Sequence, residues 1–352
     1  MKYWRSYILL FAALATLMGA AVSCKDKDDD DTVYETFDGV LKFNIPPYVA
    51  PGEFFLLTPT GVNRNSSDEL TTAPGYYWSI TPTATGKDTT RYENSAETVT
   101  GAKAFTVPDT LCTLSISCVA FAKGYQVSSA TAHPTVVKPT DVYLSSIGSV
   151  TYSTYRFNNF WKDSRDGKMY CHFMRTGYPQ GKWMQINLAY GGSGRPYANC
   201  EVMREVFGQY YTWEEAQTAC PSGWRLPTKA DWAGLAKYLN PSGYTDDDST
   251  FKGIAGKLMD DASFNGEKMW LHSADNRISG DFRFYAIPTG YAYKKGSDFY
   301  FAGAFDYAAY WVKEEVDATH GQYRYIYYDS PDMYLGVADK SSFAASVRCI
   351  RE

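Results

Sequence analysis

The sequence predicts an α+β protein: an all-β module, then a domain of two short helices, a small antiparallel sheet and long loops. Three observations carry this reading. From Thr32 to Pro139 short apolar runs alternate with clusters of Gly, Pro, Asn and Asp, the rhythm of strands in a β-sandwich. Two helix starts follow, Thr212-Trp213-Glu214-Glu215 and Thr228-Lys229-Ala230-Asp231. In each, the threonine oxygen accepts an unpaired N–H while the acidic residue three positions on reaches back. After Asp281 nearly everything reads as strand and turn.

The N-terminus sets the expected compartment. Lys2 and Arg5 precede an uncharged apolar stretch from Tyr7 to Met18, too short for a bilayer span of about 20 residues. Small residues and then Cys24 follow. A basic start, a short apolar core and a small-residue cleavage site make residues 1–23 a secretory signal. The cysteine directly after them resembles a bacterial lipobox, which implies an acylated Cys24 seated in the bilayer. Ala21 departs from the leucine usual there. The plainer alternative is an ordinary signal peptide with a spare cysteine. Residues 24–31, Lys25-Asp26-Lys27-Asp28 through Asp31, read as a solvated acidic tether. They also resemble the export signal of surface lipoproteins in Bacteroidetes-type bacteria. The expected location is therefore the outer membrane, lipid-anchored and facing outward. A formal charge of −5 offers no basic surface for nucleic acid.

In the first module Val40–Asn44, Glu53–Leu57, Tyr76–Thr81, Ala104–Val107 and Leu111–Ala122 read as strands. The last alternates Cys112, Leu114, Ile116, Cys118, Ala120 and Ala122 against Thr113, Ser115 and Ser117, so one face is buried. Cys112 and Cys118 lie about 20 Å apart on extended chain, beyond the roughly 7 Å a disulfide allows. They are expected as buried thiols. With Trp78 packing beneath this strand, residues 32–139 resemble immunoglobulin-like or PKD-like modules, here a spacer. Val136 to Thr140 reads as a linker.

In the second domain Trp213, Ala216 and Cys220 share one helix face, and Trp232, Leu235 and Leu239 another. Asp163–Tyr170, Lys182–Tyr190, Phe207–Leu235, Phe284–Tyr291 and Ser346–Ile350 occur in order and together resemble the Fibrobacter succinogenes major paralogous domain over residues 145–352. Arg225-Leu226-Pro227-Thr228 with Asp231-Trp232 also resembles the formylglycine-generating enzyme fold. Both resemblances imply a C-type-lectin-like architecture more than a function. They imply a disulfide from Cys220, on the first helix, to Cys349, on the last strand. Cys171 and Cys200 are left over, offering a second bridge on the grounds of export and elimination.

Catalytic patterns are missing from the sequence. Histidines 133, 172, 272 and 320 have no ligand spacing, and no HExxH, CxxC, GxSxG or GxxxxGK occurs. Asp246-Asp247-Asp248 lacks the alternation of a calcium loop and reads as a solvated turn. No enzyme activity, metal or cofactor is expected. What stands out is tyrosine: fifteen aromatic residues lie between Tyr291 and Phe343. Part of that is core, and Trp311 sits where the family buries a tryptophan. Tyr323, Tyr325 and Tyr327 share a strand face. The remainder alternates with aspartates in segments expected to be loops. Tyrosine beside short polar residues is a binder's composition, and flat rings with carboxylates suit sugars. Tyr300, Asp306, Tyr307, Tyr310, Tyr328, Asp329 and Tyr334 are the expected ligand contacts. The expected function is adhesion, through a glycan or a host or bacterial surface protein. The alternative is a structural or tip subunit of a fimbria or uptake complex.

Overall fold

The computed structural model describes residues 34–63, 74–83, 92–93, 101–138, 143–144, 148–149, 160–173, 181–280 and 282–351. The signal segment, Cys24 and the acidic tether lie outside these residues. Strand dominates the chain and helices are few.

The N-terminal part is mainly antiparallel β, with Thr135–Val136 parallel to Tyr48–Val49 and an isolated parallel bridge from Glu35 to Tyr125. Its longest strands, Gly75–Thr83 (β1) and Thr113–Phe121 (β2), pair in unbroken register from Gly75↔Phe121 to Thr83↔Thr113. The expected alternation holds: Leu114, Ile116, Cys118 and Ala120 are buried, and the residues between them are half-buried. Trp78 stands directly across from Cys118, so both point into the same core, and its indole N–H donates to Gly101 O at 2.7 Å. Leu41, Leu57 and Val62, from two smaller two-stranded sheets, close that core.

Cys112 and Cys118 are both buried free thiols. Burial raises both, and pushes Cys118 up to about 12. At pH 8 the Cys118 thiolate is scarce, and the thiolate is the reactive form. Native protein at pH 8 is expected to leave Cys118 unmodified by a maleimide, with full reaction once denatured. Rapid labelling of the native protein would show that this core opens.

The segment read as a linker begins inside packed structure. Thr135–Val136 pairs in parallel with Tyr48–Val49. Val137 is fully buried among Met203, Phe207 and Phe264 of the C-terminal part, and Asn265 Nδ2 donates to Val136 O at 3.1 Å. Tyr48 also meets Tyr197, with ring centroids 5.7 Å apart. The two parts therefore share a hydrophobic joint.

The C-terminal part is organised on a nine-stranded sheet. Its main path runs Arg195–Pro196, Gln209–Thr212 (β3), Phe343–Ser346 (β9), Tyr307–Glu315 (β6), His320–Tyr327 (β7), Met333–Asp339 (β8) and Thr250–Phe251. The hairpin Tyr291–Lys295 (β4) and Asp298–Ala302 (β5) joins it through β9. Four helices flank it: Glu201–Phe207 (α1), Trp213–Ala219 (α2), Lys229–Leu239 (α3) and Ala255–Leu258 (α4). Only α2 and α3 are announced by the sequence. Both of their capping boxes are complete, each worth about 1 kcal/mol. The N-caps of α1 and α4 make no side-chain capping bond, so these helices leave no local signature and form by packing.

Residues on β6 alternate between two cores. Ala308, Tyr310 and Val312 face α3, packing with Trp232, Leu235, Phe284 and Ile326. Tyr307, Ala309 and Trp311 face the other way, toward Ala216, Ala219, Tyr211 and Cys349. Trp311 is fully buried and donates to Tyr211 O at 2.6 Å.

The disulfide Cys220–Cys349 is present, closing a separation of 129 residues. The second bridge is absent: Cys171 and Cys200 are both free. Elimination failed here because Cys200 sits ahead of α1 in the joint with the N-terminal part, while Cys171 lies on a different sheet, Met169–Phe173.

Candidate ligand-binding face

The charged motifs of the C-terminal part are consumed by its frame. Asp163 is fully buried and accepts from Arg165 Nε at 3.0 Å and Nη2 at 2.7 Å, while Arg165 Nη1 donates to Ala219 O at 2.8 Å. Burial works against the Asp163 carboxylate, but the bonds from Arg165 win and hold its carboxyl below the usual range. Asp231 is treated alike: burial opposes its charge, and bonds from Arg225 and Thr228 hold its carboxyl low. This one side chain caps α3 and receives Arg225, whose backbone exchanges two 2.9 Å bonds with Ile350. Asp248 is likewise occupied, by the fully buried Arg324.

Arg348 is the most demanding of these groups. It is 1% exposed and has no carboxylate partner among its bonds. Its guanidinium donates to Asn187 Oδ1 at 3.0 Å, to Met184 O and Tyr285 O at 3.3 Å each, and to Phe284 O. Burial lowers its pKa to about 10. The charge is spread over oxygens that belong to two separate segments, 184–187 and 284–285, which it ties to the last strands.

What is not consumed is one face of the sheet. On β7, Tyr323, Tyr325 and Tyr327 project to the same side as Tyr307, Ala309 and Trp311 of β6, with Tyr307↔Tyr327, Ala309↔Tyr325 and Trp311↔Tyr323 as neighbours. Tyr334 of β8 stands across from Tyr325, and Gly336 from Tyr323. The glycine is needed there. A Cβ at 336 would lie 2.2 Å from the Tyr323 ring, which leans across the strand. Helix α2 covers only part of this face. The remainder carries a continuous layer of rings: Tyr300–Tyr293 (centroids 6.0 Å apart), Tyr293–Tyr291 (6.4 Å), Tyr291–Phe343 (5.2 Å), Phe343–Tyr323 (4.8 Å), Tyr323–Tyr325 (5.7 Å) and Tyr325–Tyr334 (5.3 Å). Several pairs are stacked, a geometry favoured by the ring quadrupoles. Tyr293, Tyr300 and Tyr327 are exposed at 42%, 46% and 39%, and the central rings are half-buried.

The expected contact residues divide in this frame. Tyr300 lies on the ring layer, with Lys295 Nζ 6.0 Å from its centroid. Tyr334 lies there too, its hydroxyl 2.7 Å from Ser330 Oγ. Asp306 and Asp329 stand at the Tyr327 end. Asp306 is half-buried, and its carboxyl is pushed up by burial and by the charge of Asp329. Its Oδ1 has no hydrogen-bond partner.

Tyr307 and Tyr310 are corrections, because they lie in no loop: β6 is a central strand buried from 307 to 312. Tyr307 is 5% exposed beneath Tyr291, Tyr325 and Tyr327. Tyr310, three residues on, is on the opposite face and 0% exposed. Tyr328 packs against that opposite core as well. Tyr291, Tyr293, Tyr323, Tyr325, Tyr327 and Phe343 were not among the expected contacts. The period-two spacing of 323, 325 and 327 was the available signal; the cross-strand register that adds the others is not.

The geometry defines a class: a β-rich domain, locked by a disulfide and buried arginines, that presents an aromatic sheet face. Residues 178–351 match the model of the Fibrobacter succinogenes major domain, which supports membership of that family for this part of the chain. No curated protein and no solved structure matches the chain.

Proposed function

We propose that this chain is a surface-exposed outer-membrane lipoprotein, held by acylated Cys24, whose C-terminal domain binds a glycan or a host or bacterial surface protein in adhesion. In this reading the N-terminal sheets form an immunoglobulin-like spacer, and the C-terminal part is a variant of the C-type-lectin-like arrangement. Binding is favoured over catalysis. The observation that carries the proposal is the ring layer from Tyr300 to Tyr334. Its rings are stacked in advance, so little side-chain freedom remains to be lost on binding. The disulfide agrees with an oxidising, exported setting.

The test is a glycan and host-protein binding array on the full chain, followed by Tyr293→Ala/Tyr300→Ala. With about 1–2 kcal/mol lost per exposed anchor, the double variant should bind at least tenfold more weakly at an unchanged melting temperature. Undiminished binding would move the site off this face. The anchor is tested separately: Cys24→Ser should release the protein from the membrane fraction, and protease applied to intact cells should remove the wild type.

An assembly subunit is the second reading. Phe54 and Leu56 point outward from the Phe54–Leu57 strand at 66% and 62% exposure, and large apolar groups in that state suit a protein contact.

A further inference from the structure

The ring layer also carries information about the shape and charge of its ligand. We infer that the face takes an unbranched, uncharged oligosaccharide lying across the strands, with successive sugar units on successive rings. This rests on the binding reading of the same face. The layer's rings stand on β5, β4, β9, β7 and β8, with β6 contributing none because Tyr307 and Trp311 are buried beneath them. From β5 to β8 the layer spans five strand steps, roughly 24 Å at about 4.8 Å per step. That step is close to the length of one pyranose unit in an extended chain. A single terminal sugar would meet one or two rings; only a ligand that repeats along its length engages the whole row. Each tyrosine supplies an apolar surface for a sugar's C–H groups and a hydroxyl for its hydroxyls.

Charge narrows the class further. Every ring residue from Tyr300 to Tyr334 is uncharged; Lys295 borders the Tyr300 end, and the charge at the opposite end is acidic. Asp306 and Asp329 flank Tyr327, and after burial their charges help raise its phenol. Among the described residues neither carboxylate has a cationic partner; Asp329 is exposed, while Asp306 is half-buried with Oδ1 unbonded, and a desolvated carboxylate left unpaired is costly. A uronate or sulfated chain would bring like charge to that corner, whereas a neutral chain brings none.

The experiment is calorimetric titration of the full chain with oligomers of two to six units. Three neutral series serve as probes (β-1,4-glucose, β-1,4-N-acetylglucosamine and α-1,4-glucose), with oligogalacturonate as the anionic comparison. At least one neutral series should gain tenfold or more in affinity between two and six units. Tyr300→Ala should weaken its hexamer at least threefold, with the melting temperature unchanged. Asp306→Asn/Asp329→Asn should improve binding of oligogalacturonate at least threefold relative to binding of the neutral hexamer by the same variant. Equal affinity for dimer and hexamer, or tighter binding of oligogalacturonate by the wild type, would overturn the inference. Binding of a host protein that Tyr293→Ala/Tyr300→Ala abolishes, with no oligosaccharide bound, would sink the inference and spare the face. Loss of all binding to sugars and proteins alike would remove the proposed function with it.

Discussion

Removing the Cys220–Cys349 disulfide is expected to cost about 4–5 kcal/mol of stability, the chain-entropy value for a loop of this length. The appropriate variant is Cys220→Ala/Cys349→Ala, because Cys349 is fully buried and a serine there would add a hydroxyl needing a partner. The bond joins the end of α2 to the segment between β9 and the last strand, Ile350–Arg351. Its loss frees the last segment from α2, while the backbone pairing of Arg225 with Ile350 still holds it. Urea unfolding of the two proteins, followed by tryptophan fluorescence, would measure the difference. A loss under 1 kcal/mol would mean that the backbone pairing closes the domain unaided. Peptide mapping without reduction should show this bridge and leave Cys171 and Cys200 unlinked.

The second large effect is at Tyr310. Its ring packs against Phe284 at 5.4 Å and Trp232 at 6.0 Å, and the Arg348 guanidinium carbon lies 5.5 Å from its centroid. Tyr310→Ala is expected to destabilise the domain by about 3–5 kcal/mol, the range for emptying a buried aromatic site. Tyr300→Ala, ten residues earlier and half in solvent, should change stability by under about 0.5 kcal/mol. Thermal melts of the two variants side by side decide the matter. If Tyr310→Ala melts like wild type, the site is not a packed core, and the two-sided burial of β6 would have to be redrawn. The contrast matters for function, because a binding defect in Tyr310→Ala would report unfolding rather than a lost contact.

Much of the frame was legible in the residues themselves. The capping boxes at Thr212 and Thr228 are local devices, complete within four residues, and both helices begin where they say. The alternation from Cys112 to Ala120 is also local, since side chains on a strand point to opposite faces in turn. By contrast, α1 and α4 carry no cap signal, and the failure of Cys171 to meet Cys200 depends on tertiary packing, which puts one on the Met169–Phe173 strand and the other ahead of α1 in the joint with the N-terminal part. The Fibrobacter-type motifs proved to be structural once their partners were visible. Asp163, Arg225, Asp231 and Arg348 each spend their charge on buried bonds.

The sequence alone determined that the C-terminal part is β-rich with two capped helices and that tyrosine is concentrated after Asp281; the pairing of Cys220 with Cys349 came from the family resemblance, and the structure bears it out. Only the tertiary structure decided which tyrosines meet solvent. Tyr307 and Tyr310 look alike in sequence, yet an odd spacing on one strand sends them to opposite faces, and each face is then covered by distant residues. Tyr291, Tyr293, Tyr300, Phe343, Tyr323, Tyr325 and Tyr334 come from five strands and become one surface only through cross-strand register. The turn sets the register within the β4–β5 hairpin, but the pairing of β4 with β9 joins residues about fifty apart in the chain, and tertiary structure brings that pair together.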